Sequence, residues 1–140
     1  MPNRLLLNPT TNNHSFGEIV EMSGRGWHLP AGIIVLKSGR HKGPHRGFGA
    51  AHIMAEHVKE MAVAGHSTAE DYVAWIIQPG TPIYCEFDRM RGGQRVAVVR
   101  SRGGKVILEV DRNELGQPYY SVITAYSDTK AHGTRVGTVR

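Results

Sequence analysis

The spacing of apolar and polar positions changes character near residue 80, from a helical period before it to a period of two after it. Residues 1–15, rich in Asn, Thr and Pro, read as an irregular arm. "GEIVEM" (17–22) fits a short strand or a helical turn, and "SGRGWHLPAG" reads as loop because glycine and proline punctuate it. "GIIVLKS" (32–38) is apolar and β-branched with a glycine on each side, which predicts a strand. A glycine-rich basic loop over 39–49 precedes "AAHIMAEHVKEMAVA". There Ile53, Met54, His57, Met61 and Ala64 gather on one side of a helical wheel, and His52, Glu56, Lys59 and Glu60 on the other. That pattern predicts an amphipathic helix stopped by Gly65. "HSTAEDYVAWIIQPG" opens on Ser67 with Glu70 three positions later, the capping-box spacing, and predicts a second helix ended by Pro79-Gly80.

Beyond it, "PIYCEFD" (82–88), "QRVAVVRS" (94–101), "KVILEVD" (105–111) and "PYYSVITAYS" (118–127) alternate as strands do. The intervening "RMRGG", "RGG" and "RNELGQ" have hairpin length. The expected fold is α+β: an N-terminal strand and two helices packed on a four-stranded antiparallel sheet. One domain spans 1–140, with a core over 32–127 and a mobile basic tail over 128–140.

Composition narrows the class. At 140 residues the chain is long enough to bury a core without staples. No run approaches eighteen apolar residues, so no membrane partner is expected, and three consecutive leucines are too few for a secretory signal. The single cysteine, Cys85, excludes an internal disulfide and suits a reducing compartment. A net charge of +5 and a pI near 9.7 favour an anionic partner. Lys37, Arg40, Lys42 and Arg46 fall in ten residues that hold no acidic side chain; Arg89, Arg91, Arg95, Arg100, Arg102 and Lys105 form a second group.

Eight histidines include four between residues 39 and 57, and three chemistries compete for them. Zinc fits badly, because His52 and His57 are five apart and diverge by about 140° on a regular helix. No cysteine pair or acidic cluster supplies other ligands. Phosphate cradling is the second: "SGRHKGPHRGFG" lacks the GxxxxGK[ST] pattern, yet it places cations and flexible backbone before a helix N-terminus. The third is general acid–base work on RNA, whose own 2′-hydroxyl can attack the adjacent phosphate without metal. Histidine titrates in the range that step needs. His52 lies in the first turn, on the polar side and open to substrate, while His57 points toward the sheet. In "YYSVITAYS" a period of two puts Tyr120, Val122, Thr124 and Tyr126 on one face, so Thr124 and Tyr126 present two hydroxyls to one site.

Taken together, the strand, the glycine-rich loop, "GFGAAHIMAEH" and a meander ending in "YYSVITAY" resemble the phage branch of the barnase–EndoU–colicin–RelE-like (BECR) nucleases. The resemblance covers roughly Gly32 to Ser127 and is most specific in GFGxxHIxxxH and the Thr124-x-Tyr126 pair. It implies a toxin-like ribonuclease, needing no metal or cofactor, that cleaves RNA, tRNA among its candidates. It implies His52 as the acid–base group with His57 as its companion, and Thr124 on the phosphate with Tyr126 beside it. Lys37, Arg40 or Arg46 would contact the scissile phosphate, with Lys42 in the same basic loop. It further implies an immunity or antitoxin partner and a phage- or prophage-encoded protein of the bacterial host cytoplasm. A non-catalytic nucleic-acid-binding module and a phage structural protein are the alternatives.

Overall fold

A computed structural model describes residues 3–44, 46–87 and 95–140. His45, Arg89, Arg91 and the expected "RMRGG" turn lie outside the described residues. The fold is mostly β, which corrects the expected four-stranded α+β arrangement: the described residues form eleven strands and two helices. In chain order these are β1 (Glu18–Ile19), β2 (Met22–Gly24), β3 (Trp27–Leu29), β4 (Gly32–Val35), β5 (Arg40–Gly43), β6 (Arg46–Phe48), α1 (Gly49–Val63) and α2 (Ala69–Ile76). They are followed by β7 (Pro82–Cys85), β8 (Arg95–Arg100), β9 (Gly104–Arg112), β10 (Pro118–Tyr126) and β11 (Thr134–Thr138).

The antiparallel meander β7–β8–β9–β10 is present where the period of two placed it. It is the middle of a larger sheet of seven strands, ordered β1-β4-β10-β9-β8-β7-β11. Two additions account for the difference. Strand β4 pairs in parallel with β10, Tyr120 opposite Ile34. At the other margin β11 pairs with β7, so residues 134–138 are a strand and not a mobile tail. The Arg140 amide donates to the Glu18 carbonyl at 2.9 Å, which links the two margins and bends the sheet toward a closed barrel.

Smaller corrections have equally local causes. "SGRGWHLPAG" is not a plain loop, for Met22 pairs with Leu29 across the β2–β3 hairpin. The basic glycine-rich segment is likewise a hairpin, with Arg40 opposite Phe48 and His41 opposite Gly47. The arm is tied down by the bridge Leu5↔Lys37. The cap of α2 is Thr68, one residue after Ser67, and its side chain accepts from the Asp71 amide. Gly65, at φ +92, does end the first helix.

One apolar core joins both helices to the sheet, with Ile53 and Met61 from α1, Tyr72, Val73 and Ile76 from α2, and Ile34, Ile83, Val98, Leu108 and Val122 from the strands. Burying each such side chain stabilises the fold by roughly 1.5–3 kcal/mol relative to exposure. Three members of the second basic group serve this scaffold. Arg95 pairs with Glu109, Arg100 lies over the Trp75 ring, and Lys105 is buried with its ammonium on the Lys130 carbonyl.

Candidate functional site

Helix α1 carries the imidazoles, and its start is built by glycine. Gly49 has φ +78, and a Cβ there would meet the Lys37 carbonyl at 2.6 Å. The close approach lets the Ala50 and Ala51 amides donate to the carbonyls of Lys37 and Ser38. Those two donors are therefore spent on backbone and are not available to a phosphate.

The helix is interrupted at His57, whose φ/ψ of −128°/18° is not helical. The buried arc of the wheel is centred differently from the expected one, on Ala50, His52, Ile53 and Met61. His52, expected on the open polar side, is 5 % exposed, whereas Met54 is among the exposed apolar residues. The rings of His52 and His57 lie edge to face with centroids 6.4 Å apart. His57 stacks on Tyr126 of β10 at 5.3 Å, and His52 stacks on His41 of β5 at 5.4 Å. Four rings thus form one row from hairpin to sheet: His41, His52, His57, Tyr126.

Each end of the row is held by hydrogen bonds. The His57 Nδ1 and a Glu60 carboxylate oxygen are 2.5 Å apart. The other carboxylate oxygen accepts from the Ser127 amide at 2.9 Å and its hydroxyl at 2.8 Å. Burial works against the Glu60 charge, but the Ser127 amide, the His57 ring and the Ser127 hydroxyl together hold its pKa below the ordinary carboxylate value. The ionised carboxylate only accepts, so Nδ1 carries a proton, and in the neutral ring Nε2 presents a lone pair. At the other end His41 and His52 meet Nδ1 to Nδ1 at 3.2 Å. Burial pushes the His52 pKa down, with Glu56 and a hydrogen bond to the Arg46 backbone opposing it. Gly47 makes room for this pair: a Cβ there would sit 2.2 Å from the Arg40 carbonyl and 3.1 Å from His52 Nδ1.

The final strand is not regular. Val122 faces Leu108 and Ala125 faces Val106, both in the core, while Thr124 faces Ile107. The register shift between Val122 and Thr124 is a β-bulge that turns Thr124 and Tyr126 to the face opposite Tyr120 and Val122. The expected grouping of all four on one face is corrected accordingly. Tyr126 reaches His57, and burial, the largest cause, together with nearby carboxylates raises its pKa, keeping the phenol protonated. The Thr124 hydroxyl is enclosed and lacks a hydrogen-bond partner among the described residues.

The cations separate into two sets. Arg40, Lys42 and Arg46 are exposed on the hairpin and form no ion pair among the described residues. Lys37 is half-buried beside them in a cleft of about 450 Å³, donating to the Tyr119 hydroxyl at 2.7 Å and lying 3.6 Å from Asp111. Its charge is balanced there, and it is not in the ring row. Sequence reasoning missed His41, Glu56 and Glu60 as site residues. The i, i+4 spacing of His52 and Glu56 was the available signal, and so was i, i+3 for His57 and Glu60.

Comparison with protein-family models, with curated proteins and with solved structures found no match.

Proposed function

We propose that the protein is an endoribonuclease that works through the imidazole row and needs no divalent ion for the cleavage step. The observation that carries this is the His57–Glu60 pair, a histidine held by a carboxylate so that Nε2 is free to accept a proton. His57 is 21 % exposed at its side chain, open enough to meet a 2′-hydroxyl. His57 takes the 2′-hydroxyl proton as O2′ bonds to phosphorus. The P–O5′ bond breaks, and the His41–His52 pair, with His41 the exposed member, donates a proton to the leaving O5′. The products are a 2′,3′-cyclic phosphate and a 5′-hydroxyl. Arg40, Lys42 and Arg46 supply the electrostatic attraction for the strand. These roles shift the principal base from His52 to His57, because burial removes His52 from direct substrate contact.

RNA is the substrate class, with tRNA a first candidate, and an immunity or antitoxin protein is the expected partner. The setting is the cytoplasm of a bacterial host, with a phage or prophage gene. No helix among the described residues is long and apolar enough to cross a membrane. The BECR likeness is a weaker support than the site, since the four-stranded sheet it implied is replaced by seven strands.

A second reading, a nucleic-acid-binding module without catalysis, is favoured by the contrast between the exposed hairpin cations and the enclosed Thr124 hydroxyl. One experiment tests both. Folded protein is incubated with total RNA in EDTA and the new ends are identified chemically. Cyclic phosphate and 5′-hydroxyl ends that disappear in His57→Ala support the enzyme. Salt-sensitive binding with intact RNA supports the module and overturns the enzyme.

A further inference from the structure

We propose that His41, His52 and Glu56 form a binding site for one zinc-class divalent ion, placed so that the bound ion silences the imidazole row. One nitrogen from each histidine and one carboxylate oxygen of Glu56 lie within 4.8 Å of one another. Two nitrogens bound tetrahedrally at about 2.0–2.1 Å from zinc are about 3.3 Å apart. The His41 and His52 Nδ1 atoms are 3.2 Å apart, so a single ion fits between them with little movement. Glu56 stands one helical turn after His52, with a carboxylate oxygen inside the same 4.8 Å group. Two imidazoles, a carboxylate and an open fourth position make a donor set that suits zinc better than magnesium or calcium.

The surroundings fit a ligand role. The His52 ring is hydrogen-bonded to the Arg46 backbone, the kind of outer contact that orients a metal-bound imidazole. Gly47 holds the hairpin close enough for His41 to face His52. Among the described residues, His57 and Glu60 belong to no such group.

Binding replaces the proton shared at the His41–His52 contact by the ion and releases that proton to water. On the ribonuclease reading this removes the acid that the leaving oxygen needs, so zinc inhibits. The inhibitory half of the proposal rests on that reading. The binding half does not, and it is measured without RNA.

The test titrates EDTA-treated, dialysed protein with Zn²⁺ against a chromogenic competitor, and with Co²⁺ by visible absorption. The expected result is one tight equivalent and the strong visible bands of four-coordinate Co²⁺. His41→Ala and Glu56→Gln, each checked for folding by circular dichroism, weaken binding by more than about tenfold, the loss that even outer contacts of a metal site cause. His28→Ala, at a separate surface pair with Glu21, leaves binding unchanged. Weak binding of several equivalents, indifferent to His41→Ala and Glu56→Gln, overturns the site. Where RNA cleavage is observed, Zn²⁺ lowers it and EDTA restores it. Cleavage unaffected by saturating Zn²⁺ overturns the inhibitory role.

Discussion

The Glu60 carboxylate holds His57 with one oxygen and Ser127 with the other, joining α1 to the end of β10 across 67 positions of sequence. The contact sits just beyond the kink at His57, where the helix has left its regular path. It orients the ring, fixes its tautomer and ties the helix to the sheet in one place. On the proposed ribonuclease mechanism, that carboxylate positions the base.

His57→Ala therefore removes RNA cleavage by about 10²–10⁴-fold, the usual reach of a positioned acid–base group. Glu60→Gln keeps the side chain's size but no longer stabilises a charged imidazole, and lowers cleavage less than His57→Ala. Single-turnover cleavage of a short RNA in EDTA measures both, with filter binding as the control. Unchanged rates in both variants would remove His57 from the mechanism.

Glu60 also predicts an acid response of the fold. Its folded-state pKa lies below the ordinary carboxylate value, so the native chain binds fewer protons than the unfolded chain in that window. Its contribution is fully present above the unfolded value and is lost as pH falls through the folded one. Urea unfolding midpoints measured from about pH 6 to about pH 3 fall for the natural chain. They fall less steeply for Glu60→Gln. The same slope in both would mean that other carboxyls, Asp111 among them, carry the whole effect.

Gly47→Ala places a methyl against the Arg40 carbonyl in a backbone conformation, φ +131, that side chains rarely adopt. Strain of this kind amounts to about 1–3 kcal/mol. The expected result is a lower urea midpoint together with a disturbed His41–His52 contact, visible as altered imidazole resonances. A variant as stable as the natural chain would show that the hairpin adjusts freely.

Thr124→Val exchanges an enclosed, unpartnered hydroxyl for a methyl of nearly the same shape. Removing a buried polar atom that lacks a partner relieves a penalty of about 1–3 kcal/mol, so stability holds or rises. If cleavage persists alongside it, Thr124 has no direct hand in the phosphate chemistry. Cleavage lost at unchanged stability would return Thr124 to the site.

The elements with long, strong periodicity were legible: the meander, both helices and β4 all lie where their apolar spacing put them. The missed strands were short, or polar on most positions. Nothing in "TRVGT" announces that it will pair with β7, because an edge strand needs only free backbone groups opposite it. The bulge at Ile123 was invisible for a related reason, since a period of two looks the same whether or not one residue is extra. Among the site residues, His52 and His57 stood out by type and spacing, and His57 does reach the sheet, but His52 is buried because the apolar arc of the helix is centred nearer to it than the placement of Met54 on that arc suggested. His41 came from a segment whose glycines and cations disguised a hairpin as a loop. Its pairing with His52 depends on tertiary approach at Gly47, which spacing along the chain does not encode.

The parallel contact of β4 with β10 has a consequence for how the chain matures. Tyr120 settles against Ile34 only after the helices and the three preceding strands have been accommodated, and such distant pairings form slowly. Tyr126 and Ser127, which follow the helices and the first three strands of the meander, are what complete the surroundings of His57. The surroundings of His57 are thus incomplete in any chain that stops short of Ser127, and on the ribonuclease reading such a fragment leaves RNA intact.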